Sequence, residues 1–346
     1  MERAWLAFCA RGPKTDAMTR ETPSITEQDP VLTVTLNPAL DLAADCDTVR
    51  PNRKLRVSKP HTEPGGGGVN VSRAIALLGG DSTALVAWGG AIGAWHRRLL
   101  EAEGIRVLAH ELGEETRQSL TVTDAEGSQF RFVLPGPDWT ADDARTVHEA
   151  ILRAAPHGLV VLSGSQPPGV HDRFPADLAA ALGPRRLIVD TSGAALRALV
   201  ATPRSGARPF VLRMDQAEAE ALAGHDLDAL ERTHALAARL VARKVAEIVV
   251  VARGADGSVL ASAEGAWHCV PPQVPVRSKV GAGDSFTGAL TLALARAAPL
   301  PEALRQGVAA AAGAVMTEAT ALCRPADVAR IAADSTLRAL PAPAGA

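Results

Sequence analysis

The 346-residue sequence has no tyrosine and only 5 Trp and 6 Phe. Stacking of exposed bases or flat rings is therefore not expected as its main mode of recognition. Its four cysteines, Cys9, Cys46, Cys269 and Cys323, stand far apart with no CxxC pair. That spacing excludes a zinc site or a disulfide framework and fits idle thiols in a reducing cytoplasm. No uninterrupted apolar stretch approaches the ~18 residues of a transmembrane helix. The apolar run before Arg11 and Lys14 is too short for a secretory signal, so a cytoplasmic protein is expected. Excess charge is also missing. With 36 basic and 38 acidic residues the net charge is −2, and no bulk pull toward nucleic acid or an anionic membrane follows. GxxxxGK[ST] does not occur, which excludes a P-loop NTPase. Apolar residues, by contrast, make up 47% of the chain against 21% charged. That is enough to build a sizeable core and to exclude wholesale disorder.

Residues 1–30 mix charges, Thr, Ser and Pro without a period and are expected to form a flexible tail, with Met18 as an alternative start. From Val31 the pattern changes. Short β-branched runs recur at 31–36, 83–88, 158–164, 186–192, 210–214 and 247–254, separated by Ala- and Leu-rich helical stretches. Near-continuous apolar strands alternating with helices predict an α/β fold, a mostly parallel central sheet with helices on both faces. Residues 119–136 instead alternate with period two around a turn, as a hairpin does. With the non-helical segment 42–59 they predict a small β lid, from about 42–60 and 115–135. A second hairpin is expected over 258–270, and a loose tail over 334–346.

Two glycine-rich sites stand out. Gly65 to Gly68, followed by Val69 and Asn70, run into a helical pattern. Glycines let a ligand approach the backbone, and a helix N-terminus offers unpaired N–H groups. Asn70 can both donate to and accept from a sugar hydroxyl. A flexible connector is the plainer reading, but a connector seldom runs straight into a patterned helix. The second site, Gly281-Ala282-Gly283-Asp284, also leads into a helix, and its N–H groups predict an anion hole for developing phosphoryl charge. An N-cap role explains Asp284 alone. A base taking a hydroxyl proton explains Asp284 together with the small residues before it.

EPGGGGVNVSRAIALLGG and VGAGDSFTGA, in that order and separation, resemble the paired signatures of the PfkB group of ribokinase-like sugar kinases over roughly residues 31–333. TLNPALD (35–41), KLR (54–56), TRQ (116–118), FRFVLPG (130–136), SGSQPPG (163–169) and VDTSG (189–193) are similar to its phosphosugar branch. The resemblance implies a three-layer α/β/α sandwich with a β lid, ATP and Mg²⁺ as cofactors, and a homodimer paired through the lid. It makes Asp284 the catalytic base and Gly281, Ala282 and Gly283 the anion hole. Asp41, Gly66, Gly67, Gly68 and Asn70 then contact sugar hydroxyls, Lys54 and Arg117 hold the substrate's phosphate, and Ser165 adds a further substrate contact. Without the TRQ match, Arg117 reads as a solvated charge on a hairpin.

The nucleotide half departs from the pattern. Arg213, Asp215 and Glu218 stand where relatives carry Lys-Pro-Asn-x-x-Glu. Glu218 is implied to organise Mg²⁺, and Asp215 replaces an amide where ATP phosphates are expected. Ala252 replaces a hydroxyl residue, while Gly254 and Gly257 of that motif remain. Thr317, Ala319 and Ala321 replace polar or glycine positions beside the family's monovalent cation. The expected activity is ATP-dependent phosphorylation of a ketohexose phosphate, with fructose 6-phosphate foremost. Fructose-1-phosphate and tagatose-6-phosphate kinases stay open as alternatives. Two rivals are a non-catalytic sugar-phosphate sensor, favoured by the altered positions, and a nucleoside kinase, disfavoured by the scarce aromatics.

Overall fold

The computed structural model describes residues 27–203, 206–318 and 320–342. Among these residues ten strands form one sheet, in the spatial order β14 (Thr336–Leu340), β13 (Gly265–Val270), β12 (Ser258–Ser262), β11 (Ile248–Ala252), β10 (Val211–Asp215), β9 (Arg186–Asp190), β8 (Leu159–Ser163), β1 (Val31–Thr35), β4 (Thr83–Gly89) and β5 (Arg106–Leu112). From β11 to β5 every pairing is parallel; β12, β13 and β14 add antiparallel at one edge. The apolar runs lie inside this sheet because helices bury both of its faces. Alternate residues split between two cores. Leu32, Val34, Val160 and Leu162 face one, while Val31, Leu159 and Val161 face the other.

The first core packs under α3 (Ala141–Ala154), α4 (Phe174–Leu182), α5 (Gly193–Ala201), α6 (Gln216–Ala223) and α7 (Leu230–Ala242). The second packs under α1 (Gly67–Leu77), α8 (Ala282–Ala295) and α9 (Leu300–Val315). The remaining helices, α2 (Gly90–Ala102) and α10 (Pro325–Asp334), complete the layers. No helix among the described residues is long and apolar enough to cross a membrane. At Gly288 of α8 a side chain would meet Ala74 at 2.7 Å. Its absence lets α1 and α8 cross closely, which sets their N-terminal ends side by side.

A separate four-stranded lid runs β3 (His61–Gly65), β2 (Ala39–Cys46), β6 (Arg117–Asp124) and β7 (Gln129–Val133). Strands β6 and β7 of its second half fall within residues 115–135. Its first half differs: β2 begins at Ala39, residues 47–60 are a loop, and β3 reaches into the glycine run. HTEPG has no strand-like pattern, and Pro64 is tolerated because β3 is an edge strand. Two further edge strands, β5 and β14, also escape the pattern, since exposure on an edge removes the apolar signature. The expected loose tail over 334–346 is therefore corrected: Thr336–Leu340 pair with β13. At the other end, residues 1–26 of the expected tail lie outside the described residues. Asp29 already belongs to the body, its N–H donating to the Ala295 carbonyl at 2.8 Å.

Candidate active site

The parallel strands end on one side of the sheet, where open α/β folds bind ligands. Ser165 follows β8, Asp190 ends β9, Asp215 ends β10 and Ala252 ends β11. The first turns of α1 and α8 reach the same edge, and there the two glycine-rich motifs meet. Asn70 Nδ2 donates to Asp284 Oδ2 at 2.9 Å. Asp284 does not cap α8. Gly281 is the N-cap, with φ of 75°, and Asp284 stands in the first turn, so its carboxyl is free for another role. Burial pushes its pKa up from 3.8 to about 6; the Asn70 donation opposes that rise and the Asp190 charge adds to it.

The first glycine run has a packing role. Helix α1 starts inside it, at Gly67, with Gly66 as N-cap at φ of 119°. A side chain at Gly67 would strike the backbone of Gly164 and Ser163 at 2.5 to 2.6 Å, and one at Gly68 would strike Val34. Both glycines thus let α1 dock against the ends of β1 and β8. Asn70 lies within this first turn rather than at the helix start.

On the lid side, β2 and β6 pair so that Ala39 sits beside Arg117 and Asp41 beside Ser119. This register puts Asp41 and Arg117 on one face, two positions apart. Arg131 of β7 shares that face through Thr121. Burial raises the Asp41 pKa to about 6, and the Arg131, Arg117 and Arg73 charges pull it back. Arg117 is anchored by Nη2, which donates to the Asn37 carbonyl at 3.2 Å, while its buried Nε has no partner among the described residues. It is a placed cation, not a solvated surface charge. Ser165 Oγ accepts from Asn37 Nδ2 at 3.1 Å, joining the β8 loop to the strand that leads into the lid. Lys54 is exposed on the 47–60 loop.

On the other side, Arg213 pairs with Asp190 at 3.2 Å and lies over the Phe286 ring at 5.8 Å. A side chain at Gly283 would meet the Arg213 guanidinium at 3.1 Å, so Arg213 lies against the 281–284 turn. Thr287 Oγ1 donates to Asp190 Oδ2 at 2.7 Å, which locks the pair to α8. Asp215 and Glu218 form a reciprocal capping box at the start of α6. The Glu218 N–H donates to Asp215 Oδ1 at 2.9 Å, and the Asp215 N–H donates to Glu218 Oε2 at 2.8 Å. Asp-x-x-Glu before a helix is a legible N-terminal signal. Burial, with the neighbouring Asp215 and Asp190 charges, raises the Glu218 pKa. Ala252 sits beside Asp215 in the β10–β11 register. Gly254 faces open space, whereas Gly257 packs against the Cys269 backbone.

No cluster of three or more His, Cys, Asp or Glu suited to a metal occurs among the described residues. Two adjacent carboxylates, Asp215 and Glu218, each keep one oxygen outside the capping box. They fit a Mg²⁺ ion that retains waters and phosphate oxygens rather than one caged by protein.

The sequence model of the pfkB family of carbohydrate kinases matches residues 34–327. The chain belongs to that family. It is 40% identical over 304 residues to the ATP-dependent 6-phosphofructokinase isozyme 2 of Escherichia coli, covering 87% of this chain and 97% of that protein. It is 33% identical to a 1-phosphofructokinase of Xanthomonas campestris, covering 76% and 83%. The crystal structure of E. coli phosphofructokinase-2 in complex with potassium superposes with a TM-score of 0.83 at 39% identity, covering 88% of this chain and 98% of that one. An Arabidopsis thaliana ribokinase with ribose and ATP bound, at 19% identity and a TM-score of 0.67, shares the fold.

This PfkB chain is thus a phosphotransferase of ribokinase-like fold. Four charged residues at its site escaped the sequence reading: Glu63, Arg73, Arg131 and Asp190. All four lie inside motifs quoted above without a role of their own: Glu63 and Arg73 in EPGGGGVNVSRAIALLGG, Arg131 in FRFVLPG and Asp190 in VDTSG. Thr317, within the expected cation segment, has its hydroxyl oxygen 2.7 Å from the Ala314 carbonyl oxygen and 2.5 Å from that of Ala321, and its single proton serves one of the two at a time. Ala319 lies outside the described residues.

Proposed function

We propose that the chain transfers the γ-phosphoryl group of ATP to the free primary hydroxyl of fructose 6-phosphate, giving fructose 1,6-bisphosphate and ADP. The observation that carries this is the Asn70–Asp284 pair, where a buried carboxyl stands beside the N–H groups opening α8. In the reaction Asp284 takes the hydroxyl proton, the sugar oxygen bonds to the γ-phosphorus, and the bond to the bridging oxygen breaks to release ADP. The N–H groups at 281–284 face the charge on the phosphoryl oxygens. Asp41 and Asn70 address sugar hydroxyls with Ser165 nearby, and Arg117 addresses the 6-phosphate through its fork. Arg213, Asp215, Ala252, Gly254 and Gly257 form the nucleotide side. Mg²⁺ held at Glu218 and Asp215 supplies neutralising charge to the phosphates when bound.

The relatives' names support this acceptor. The E. coli and Mycobacterium tuberculosis relatives at 40% and 37% identity are ATP-dependent 6-phosphofructokinases. A ³¹P NMR experiment with ATP, Mg²⁺ and fructose 6-phosphate tests it. New monoester signals and ADP are expected. Bound fructose 6-phosphate with no ATP turnover would instead identify a sensor.

The lid supports a homodimer. Leu55, Val57, Phe132, Val133 and Leu134 are each at least 40% exposed on the lid or its loops. That is an apolar area that association would cover. Sedimentation velocity is expected to give a dimer at assay concentrations, and a monomer would contradict it.

A further inference from the structure

Asn70 reaches Asp284 with its amide N–H, and a side-chain amide can equally present its carbonyl. Its oxygen is turned the other way by Arg73, one helical turn on, whose Nη1 donates to Asn70 Oδ1 at 3.4 Å. Arg73 is itself over-determined. Its Nε donates to Glu103 at 2.7 Å, Nη2 to Glu63 at 3.1 Å, and Nη1 also to the Pro64 carbonyl at 3.3 Å. Glu63 in turn accepts from the Thr320 hydroxyl. Arg73 also lines a cavity of about 510 Å³ together with Glu63 and Glu103, and its polar contacts fix where the guanidinium sits.

We propose that Arg73 is a positioning residue that fixes the Asn70 amide with its N–H toward Asp284, keeping the carboxylate aligned and ionised for proton transfer. The inference rests on Asp284 as the base. A fork suits the task because three N–H directions are fixed at once, to Glu103, Glu63 and Asn70. A lysine ammonium can neutralise the carboxylates but cannot hold all three geometries.

The groups facing Asp284 are Asn70 from α1, Asp190 from β9, Arg213 from β10 and Asp41 from β2. Of these Asn70 is the hydrogen-bond donor, and its donation lowers the Asp284 pKa. Losing it should move the acid limb of kcat/KM to higher pH.

The test uses full-length Arg73→Lys and Arg73→Ala, each also in an Asn70→Ala background. Because a hydrogen bond to a charged group is at stake, Arg73→Lys should lower kcat roughly tenfold, with the fructose 6-phosphate KM changed far less. Its acid limb should move upward while the protein remains folded by circular dichroism. In the Asn70→Ala background the same replacement should cost nothing further. An unchanged kcat and acid limb in Arg73→Lys would overturn the proposal. So would an undiminished loss in the Asn70→Ala background, where Arg73 would be acting by another route. Asp284→Asn separates the two ideas: if that variant remains active, the base reading itself fails.

Discussion

Asp284→Asn is expected to make the protein slower and more stable at once. Asn keeps an oxygen for the Asn70 donation but cannot take a proton, and a positioned base contributes about 10²–10⁴ in rate. The stability gain comes from the same burial. In the fold the Asp284 carboxyl titrates near 6 rather than 3.8 because burial disfavours its charged form. That difference corresponds to about 3 kcal/mol of cost for holding it ionised. The folded state therefore binds the proton more tightly than the unfolded one. The cost is absent below about pH 4, builds as pH rises, and is complete above about pH 6. Urea unfolding of both proteins at pH 8 should show Asp284→Asn more stable by up to about 3 kcal/mol, with the gap closing toward pH 4. Wild-type kcat/KM should meanwhile fall below about pH 6, as the base becomes protonated. A variant that retains more than about a tenth of wild-type kcat would refute the assignment. An unstabilised variant with lost activity would refute the burial argument alone.

Two other substitutions follow from the site's two sides. Arg117→Ala should raise the KM for the phosphosugar roughly ten- to hundredfold with little change in kcat, since charge-assisted bonds are worth about 1.5–3 kcal/mol; steady-state kinetics checks it. Asp215→Asn should preserve the α6 cap and leave stability unchanged, whereas Asp215→Ala should lose about 1 kcal/mol in urea unfolding. The Asn variant should also bind ATP more tightly at low Mg²⁺ and lose that advantage at saturation, because a carboxylate repels phosphate until a cation is shared. Parallel curves of ATP KM against Mg²⁺ would show that Asp215 acts only as a cap.

The buried parallel strands were legible because double-sided burial writes uninterrupted apolar runs, as in LVVLS of β8 and IVVVA of β11. The lid hairpin was legible from its alternation. Edge strands were not: β5 and β14 are half-exposed, and β3 carries Pro64, so pairing rather than local pattern creates them. At the site, the sequence marks the two glycine runs, with Asn70 and Asp284, that the fold brings together, but not why each glycine is there. Gly67, Gly68 and Gly288 serve helix docking, which depends on residues distant in the chain. Asp215 and Glu218 carry a capping signal in their spacing, which the family resemblance passes over because it makes Glu218 a metal residue and Asp215 a departure. Arg73 and Asp190 gain meaning only when α1, β9, β10 and α8 converge, a tertiary fact with no local signature.

The central claim is phosphoryl transfer to a phosphosugar, and ADP release measured with ATP, Mg²⁺ and one acceptor at a time tests it most directly. Fructose 6-phosphate, fructose 1-phosphate and tagatose 6-phosphate are compared by kcat/KM. The account predicts acceptor-dependent ADP release, highest with fructose 6-phosphate. ADP release that no phosphosugar stimulates, from a protein that still binds fructose 6-phosphate, would contradict it.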